Sequence, residues 1–286
     1  MWLQGPAAEI QGTQGIEMLA YLKILRPSVV LLAIFAVVVG AVLSGFLEIF
    51  SIAVAVVVVA LVCGGGNIIN DIFDYEIDKV NRPQRLLPSG KISLKSAKIY
   101  AALLLVASIA FALVFLNKAQ LVLVLFNIGI AFLYSWRLKA LPLLGNLCPS
   151  WLAASSFLFG ALFVGIGPTI ILLFLMAFFA NIGREIVKAI EDMPGDKRAG
   201  YRTLPLVVGK NFSTGLAIIF VVFAVLLSPL PWLFGLLSIY YLYTVFIADL
   251  IFAAACWRAI MDARKGQMLM KVAMFVAILA FLSGLL

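Results

Sequence analysis

Long runs of apolar residues, separated by short polar or Pro/Gly-containing segments, recur from about residue 28 to the last residue of the sequence. The runs are continuous and do not alternate with period two, which favours helices over the strands of a transmembrane β-barrel. Because a helix needs about 20 apolar residues to cross a bilayer, the runs predict an all-α polytopic membrane protein. Nine transmembrane spans, numbered in chain order, are expected at residues 28–46, 49–69, 96–116, 120–136, 143–165, 168–188, 212–229, 232–256 and 268–286.

The first 17 residues differ from the rest of the chain. They are rich in Gly and Gln and lack the basic and apolar regions of a signal peptide. Met18 would serve as a start residue, so we expect residues 1–17 to be a non-native or disordered extension. A single membrane-embedded domain is expected over residues 18–286.

The composition narrows the possible chemistry. Hydrophobic residues make up 65% of the 286 residues and charged residues 12%, against about 25% charged in soluble domains. The chain has no histidine, which excludes an imidazole base, a Ser-His-Asp triad and a His-ligated metal. The three cysteines are far apart and are expected to be apolar helix residues. Any metal should therefore be a hard ion with oxygen ligands.

Basic residues fall almost entirely on one side of the predicted membrane topology. The N-terminal segment and the loops and helix ends after spans 2, 4, 6 and 8 carry every Lys and Arg except Lys118. The positive-inside rule then predicts a cytoplasmic N-terminus, cytoplasmic charged loops and an outside C-terminus in the cell membrane. The net charge of +8 favours anionic lipids or an anionic substrate as partners over nucleic acid.

Two short segments rich in acidic residues, called acidic windows here, follow spans 2 and 6. The first comprises residues 67–78. Asn70, Asp74 and Asp78 are four residues apart, which places their side chains in one stripe on successive helical turns. Asn67 can join this stripe. Such a column of oxygen donors suits Mg²⁺, which binds one or two carboxylates and keeps sites for water and phosphate oxygens. The alternative is a solvated helix end, but like charges stacked four residues apart destabilise a helix.

The second acidic window follows span 6 and repeats the four-residue spacing with Asp192 and Asp196. Pro194-Gly195 is expected to end the helix, so that a turn presents Asp196. Arg184 and Lys188 precede Asp192 in one helical stripe. Basic residues interleaved with metal-binding carboxylates are typical of a diphosphate site.

The two windows are four spans apart, which predicts an internal repeat. Spans 1–4 and spans 5–8 would form two four-helix pseudo-repeats, with span 9 added. In this architecture the helices surround a central cavity that opens to the cytoplasmic side. Both windows would then lie at the mouth of that cavity.

Three motifs together resemble the signatures of the UbiA superfamily of intramembrane prenyltransferases. The resemblance covers nearly everything from about residue 18 onward. Residues 81–90, 144–146 and 200–205 are most similar to archaeal members that prenylate a glycerol phosphate lipid. The motifs are Asn70, Asp74 and Asp78 followed by residues 81–85; Asp192 and Asp196 after span 6; and Tyr134, Ser135, Leu138 and Lys139 after span 4.

This resemblance implies Mg²⁺-dependent transfer of a geranylgeranyl group from geranylgeranyl diphosphate to the hydroxyl of geranylgeranylglyceryl phosphate, with release of diphosphate. The reaction belongs to archaeal ether-lipid synthesis, and no obligate protein partner is evident from the sequence. Two Mg²⁺ would bridge the diphosphate, held by Asn70, Asp74, Asp78, Asp192 and Asp196, whose four carboxylates are the catalytic residues. Substrate contacts are expected from Arg26, Asn67, Arg82, Arg85, Tyr134, Ser135, Lys139, Lys188 and Arg202.

Two alternatives stay open at this point. The metal motifs do not choose the acceptor, so an aromatic acceptor such as 4-hydroxybenzoate or a quinone precursor is the second hypothesis. A surplus of cytoplasmic cations favours the phosphate-bearing acceptor, although the same cations also set topology. A secondary transporter is the non-enzyme hypothesis, but transporters usually bind near the bilayer midplane, and Asp249 is the only acidic residue deep in a predicted span. Asp249 is expected either to be packed and hydrogen-bonded or to line the cavity. The surplus cations are Arg26, Lys91, Lys95, Lys139 and Arg202.

Overall fold

A computed structural model describes residues 18–286, and the expected extension at residues 1–17 lies outside this range. The described chain is helical, with no strand between residues 18 and 286. A 3₁₀ turn, Leu138–Ala140, follows α6. The helices are α1 (Met18–Ile24), α2 (Pro27–Leu43), α3 (Ile49–Phe73), α4 (Tyr75–Asn81), α5 (Leu94–Phe115), α6 (Lys118–Trp136), α7 (Leu144–Ala161), α8 (Pro168–Arg198), α9 (Leu204–Val208), α10 (Lys210–Leu227), α11 (Leu230–Leu233), α12 (Ile239–Met261) and α13 (Ala263–Ser283).

Each predicted span overlaps one long helix of the described residues. Seven helices between residues 18 and 286 are long and apolar enough to cross a membrane, and α1 with α2 makes an eighth if this pair, bent by 55°, is one span. Span 5 corresponds to α7, which is not one of these candidates, because its Asn, Pro and Ser side chains lower its hydropathy. The structure therefore has seven or eight candidate membrane helices.

Large apolar side chains are exposed on the outward faces of these helices. Leu103, Val106 and Leu113 of α5 and Phe246 and Leu250 of α12 are all exposed. Exposed apolar surface costs about 25 cal/mol per Å² in water, and lipid chains remove this cost. The protein is an integral membrane protein.

Within residues 18–286 the interior is packed in four clusters, and the following two lie among helices that line the cavity. Ile186, Val221 and Phe252 belong to the cluster where α8, α10, α12 and α13 meet. Val58 and Phe159 belong to the cluster of α2, α3, α5, α6 and α7. Helices from both clusters line the cavity described below, so the packing of the two clusters sets its shape.

Two glycines let α2 and α7 approach more closely than any side chain would permit. A Cβ on Gly160 would lie 2.0 Å from the carbonyl oxygen of Val37, and a Cβ on Gly40 would lie 2.1 Å from that of Phe157. Small residues at helix contacts are a common device in membranes, where packing replaces the hydrophobic effect as the driving force.

The prediction that α8 ends at Pro194-Gly195 is wrong. The helix continues to Arg198, because proline removes only its own backbone donor while the surrounding turns keep theirs. The Arg198 Nε donates to the Pro194 carbonyl oxygen at 3.1 Å. The chain leaves the helix at Gly200, whose φ of 71° is the left-handed conformation of a helix C-terminus. Asp196 therefore lies on the helix and not on a turn.

Candidate active site

One large cavity, of about 1060 Å³, lies among the helices of both clusters. This volume exceeds the roughly 300–1,000 Å³ of ordinary small-molecule pockets. Charged and amide side chains form one end of the cavity, and apolar side chains line its depth. Thirteen of the residues expected at the site line it, namely Arg26, Asn67, Asn70, Asp74, Asp78, Arg82, Arg85, Tyr134, Ser135, Lys139, Lys188, Asp192 and Asp196.

The first acidic window keeps its helical spacing across a break. Asp74 separates α3 from α4 but retains right-handed helical dihedral angles. Its backbone N–H donates to the Asn70 carbonyl oxygen at 3.0 Å, and the Asp78 N–H donates to that of Asp74 at 2.7 Å. The Asn70 Nδ2 also donates to Asp74 Oδ2 at 3.1 Å. The amide and the carboxylate are therefore in direct contact, as the four-residue spacing predicts.

Cations surround the carboxylates of this window. Lys139 pairs with Asp74, so the motif after α6 reaches the first acidic window. The Arg85 Nη1 donates to Asp78 Oδ2 at 2.6 Å. Burial raises the pKa of Asp78 above its ordinary value, against the opposing effect of Arg85. Oppositely charged side chains therefore cluster here. The basic members can pair instead with a bound anion, and the acidic members with a bound cation.

Asp71 belongs to the same charge network, although it lies outside the predicted stripe. The Arg26 Nη2 donates to Asp71 Oδ1 at 2.5 Å, and the Arg85 Nη1 lies 3.7 Å from the same oxygen. Asp71 thus holds two of the predicted substrate-binding arginines. The spacing of the acidic residues gave no signal for this role, because it arises from a contact with Arg26, 45 positions away.

The two acidic windows meet at one end of the cavity. The Arg82 Nη2 lies 3.6 Å from Asp192 Oδ1, joining the segment after α4 to α8. Tyr201 also lines the cavity here. Burial, together with the nearby carboxylates of Asp74 and Asp196, raises the pKa of Tyr201. Tyr201 is a site candidate that the spacing of the charged residues does not indicate, because only tertiary packing brings it to the cavity.

A second charged tier lies along α8. Arg184 pairs with Glu185, and its Nε donates to Asn181 Oδ1 at 3.1 Å. Lys188 Nζ lies 3.9 Å from Glu185 Oε2. The stripe of Arg184, Lys188 and Asp192 is the sequence signal that identifies this tier, and all three residues line the cavity.

Some expected residues do not line the cavity. Arg202 is exposed and not among the lining residues, although its backbone N–H donates to the Ala140 carbonyl oxygen at 3.0 Å. Lys91 and Lys95 are also exposed and outside the lining. The sequence predicts that these side chains lie on the cytoplasmic face, whereas their position outside the cavity lining follows from tertiary packing.

The donor set suits a hard metal ion that shares its coordination with a ligand. Between residues 18 and 286, no three Asp, Glu or Cys side chains form a group that could hold a metal ion by themselves. Asp74 with Asn70, and Asp192 with Asp196 one turn away, each supply one or two oxygen ligands. Mg²⁺ commonly binds in this way, with waters and phosphate oxygens completing its octahedron. The residues therefore fit Mg²⁺ together with a diphosphate.

Asp249 is both packed and accessible to the cavity. The Ser228 Oγ donates to Asp249 Oδ2 at 2.6 Å, and the Tyr241 hydroxyl donates to the Ser228 carbonyl oxygen at 2.6 Å. Asp249 also lines the deep part of the cavity. Hydrogen bonds thus stabilise this intramembrane carboxyl group.

Comparison with known proteins gives a consistent result. The UbiA prenyltransferase family matches residues 29–279. Digeranylgeranylglyceryl phosphate synthase of Methanopyrus kandleri is 41% identical over 277 residues, which are 94% of this chain and 100% of that protein. The protein of the same name from Pyrococcus furiosus is 39% identical over 276 residues, which are 95% of this chain and 99% of that protein.

Solved structures share the same helical fold. A structure described as digeranylgeranylglyceryl phosphate synthase has a TM-score of 0.80 and 36% identity, covering 94% of this chain and 98% of that one. A UbiA homologue from Archaeoglobus fulgidus bound to GPP and Mg²⁺ has a TM-score of 0.65 and 21% identity, with 93% and 98% covered. At that identity the second likeness shows the fold alone.

Proposed function

The chain belongs to the UbiA prenyltransferase family and is a prenyltransferase, and we propose that it transfers a geranylgeranyl group to geranylgeranylglyceryl phosphate. The donor is geranylgeranyl diphosphate, the nucleophile is the glycerol hydroxyl, and diphosphate is released. The product is an archaeal ether lipid. Relatives at 39–41% identity are named for this product. The single observation that carries the proposal is the meeting of two acidic windows and their cations above a long apolar cavity.

The residues of the first window and their cations stabilise the leaving group. As the bond between C1 and the diphosphate oxygen breaks, negative charge develops on the diphosphate. Arg82, Arg85 and Lys139 lie at this end of the cavity and neutralise that charge. The glycerol oxygen then bonds to C1, and its proton passes to the released diphosphate. The apolar depth of the cavity excludes water from the allylic carbon.

Mg²⁺ completes this arrangement in the proposal. Asn70, Asp74 and Asp78 would hold one ion, and Asp192 and Asp196 a second; bound Mg²⁺ would supply electrophilic stabilisation to the diphosphate. Mg²⁺ is also the ion named for the homologue from Archaeoglobus fulgidus, which shares the fold and is described as bound to GPP and Mg²⁺. Asn67 is proposed as a positioning residue, because its Nδ2 donates to the Leu25 carbonyl oxygen at 2.8 Å beside Arg26.

Membership of a prenyltransferase family decides against the transporter hypothesis. An aromatic acceptor such as 4-hydroxybenzoate remains the second candidate, since it uses the same metal motifs. An aromatic acceptor needs a carbon nucleophile and a flat pocket, whereas the cavity here offers cations beyond those at the donor carboxylates. We therefore retain the phosphate-bearing acceptor as the proposed substrate.

A competition assay should separate the two acceptors. Purified protein in detergent, given labelled geranylgeranyl diphosphate with both geranylgeranylglyceryl phosphate and 4-hydroxybenzoate, should place the label in the glycerol lipid and release diphosphate. Chelation with EDTA should abolish formation of the labelled glycerol lipid and of diphosphate, and added Mg²⁺ should restore both. Label found only in the aromatic acid would refute the proposed acceptor. Activity that survives chelation would refute the metal requirement.

We also propose the number of membrane spans, their division into two repeats and their orientation in the membrane. The nine long helices of residues 18–286 would be nine spans, with α2, α3, α5 and α6 as one repeat, α7, α8, α10 and α12 as the second, and α13 added. The acidic windows support this proposal, because each follows or ends the second helix of its set. The N-terminus and the site would face the cytoplasm and the C-terminus the outside.

Labelling with a membrane-impermeant maleimide should test this orientation. In a chain whose three native cysteines are replaced by alanine, Lys118→Cys should react from outside intact right-side-out vesicles. Ser89→Cys, in the exposed loop before α5, should react only after the vesicles are permeabilised. The reverse pattern would invert the proposed topology without affecting the proposed reaction.

A further inference from the structure

Lys271 of α13 is a cavity residue outside the metal-binding motifs. It lies eight residues after the start of α13, which is about 12 Å along the helix, and its side chain is exposed to the cavity that it lines. Gln267, one turn before Lys271 on the same face of α13, donates to Glu191 of α8 at 3.2 Å, and Arg184, Glu185 and Lys188 of α8 line the same cavity as Lys271. Ionisable residues at such depth are costly and commonly mark substrate sites.

The charges around Lys271 leave an excess of positive charge. Glu185 is paired with Arg184, and Glu191 accepts from Gln267 Nε2 at 3.2 Å and lies 4.0 Å from Arg264 Nε. Within residues 18–286, no carboxylate oxygen lies within 4.0 Å of Lys271 Nζ. An anion bound here would pair with Lys271 and with Lys188, whose contact to Glu185 is long at 3.9 Å.

An apolar wall continues from Lys271 along the same face of α13. Met274, Phe275, Ile278 and Phe281 all line the cavity and follow Lys271 at helical spacing. The Phe275 ring packs against Phe35 of α2, with centroids 6.1 Å apart. A cation above a continuous apolar stripe matches an amphiphile that has an anionic head and a long hydrocarbon tail.

A separate apolar wall lies below the first acidic window. Val59, Val62, Cys63 and Gly66 of α3 line the cavity at helical spacing toward Asn70. With the donor diphosphate at that window, as proposed above, its prenyl chain would lie along the adjacent wall of α3. The α13 wall is then available for the second hydrocarbon chain.

We propose that Lys271, with Lys188, binds the phosphate of the acceptor, and that the acceptor's apolar chain lies along α13. This inference rests on the proposed function, because it requires a phosphate-bearing acceptor. Lys271 is a specificity-determining residue here and takes no part in breaking the bond to the diphosphate. Its charge distinguishes an acceptor that carries phosphate from one that does not.

The test compares two acceptors in Lys271→Met and wild-type protein. The KM for geranylgeranylglyceryl phosphate should rise at least tenfold in the variant, while the KM for geranylgeranyl diphosphate stays within twofold. With geranylgeranylglycerol, which lacks the phosphate, the two proteins should show equal kcat/KM. Lys271→Arg should restore most of the affinity, because the positive charge is retained.

Lys265→Met is the matched control, since Lys265 lies on the same helix, outside the cavity lining, and near Asp262. It should leave all constants unchanged. An unchanged KM for the phosphate-bearing acceptor in folded Lys271→Met, or an equal loss with the phosphate-free acceptor, would overturn the inference while leaving the proposed function intact. Failure of the wild-type protein to prenylate geranylgeranylglyceryl phosphate would refute the proposed function itself, and this inference with it.

Discussion

Asp74→Asn should lower turnover by about 10²–10³-fold, the effect typical of losing one group that stabilises developing charge. Asp74 contacts both Asn70 and Lys139 at the end of the cavity where the two windows meet. Asparagine keeps the shape of the side chain but removes the negative charge that a divalent cation needs. Product formation at saturating donor and increasing Mg²⁺ should therefore stay low, and higher Mg²⁺ should recover only part of it.

Glu76→Gln provides the control for this experiment. Glu76 lies two residues away on α4, its side chain is 78% exposed, and it pairs with Lys79. The same charge change at this position should leave turnover within about twofold, since a surface ion pair contributes about 0–1 kcal/mol. If Asp74→Asn is folded and turns over like Glu76→Gln, Asp74 is not part of the site.

Gly160→Ala should destabilise the protein strongly, although it adds only one methyl group. The new Cβ would lie 2.0 Å from the Val37 carbonyl oxygen and 2.8 Å from the Ala41 nitrogen, both of which are backbone atoms. A side chain could rotate away, but a backbone moves only if α2 and α7 separate. Overpacking typically costs about 1–3 kcal/mol, and a clash with backbone atoms belongs at the upper end of this range. The apparent Tm in detergent should fall by about 10 °C, given a typical shift of roughly 2–4 °C per kcal/mol.

Gly129→Ala tests whether this effect belongs to the contact or to any glycine in a helix. Gly129 is within α6, and a Cβ there meets no atom within 4 Å. Alanine is the better helix former by about 1 kcal/mol, so the Tm should be unchanged or slightly higher. An equal loss of stability in both variants would show that the close approach of α2 and α7 is not what makes Gly160 necessary.

Local pattern was enough to predict the helices. Continuous apolar runs predicted one span for each long helix, and four-residue spacing placed Asn70 beside Asp74 and Asp192 one turn from Asp196. The family assignment from three motifs is confirmed. These features follow from helical periodicity, which depends on neighbours within a few residues.

The extent of α8 and the status of α7 were harder to predict. Pro194-Gly195 is a strong local signal for a helix end, yet the surrounding backbone hydrogen bonds carry α8 to Arg198. The polar residues of α7 lower its hydropathy. They are compatible with a helix in the membrane because several face protein: Asn146, Ser150 and Ser155 are buried. A helix surrounded by other helices does not need the apolar surface that a lipid-facing helix requires.

The sequence by itself determined the class of this protein: a polytopic helical membrane protein with carboxylate and cationic motifs at helix ends. The tertiary structure decided which cations share the cavity. Lys271 lines it and Arg202, Lys91 and Lys95 do not, although all lie on the same predicted face of the membrane. It also paired Arg82 with Asp192 and Arg26 with Asp71. The physical reason is that the rotation of each helix about its axis is fixed by contacts between distant helices, such as Gly160 against Val37, and not by its own periodicity.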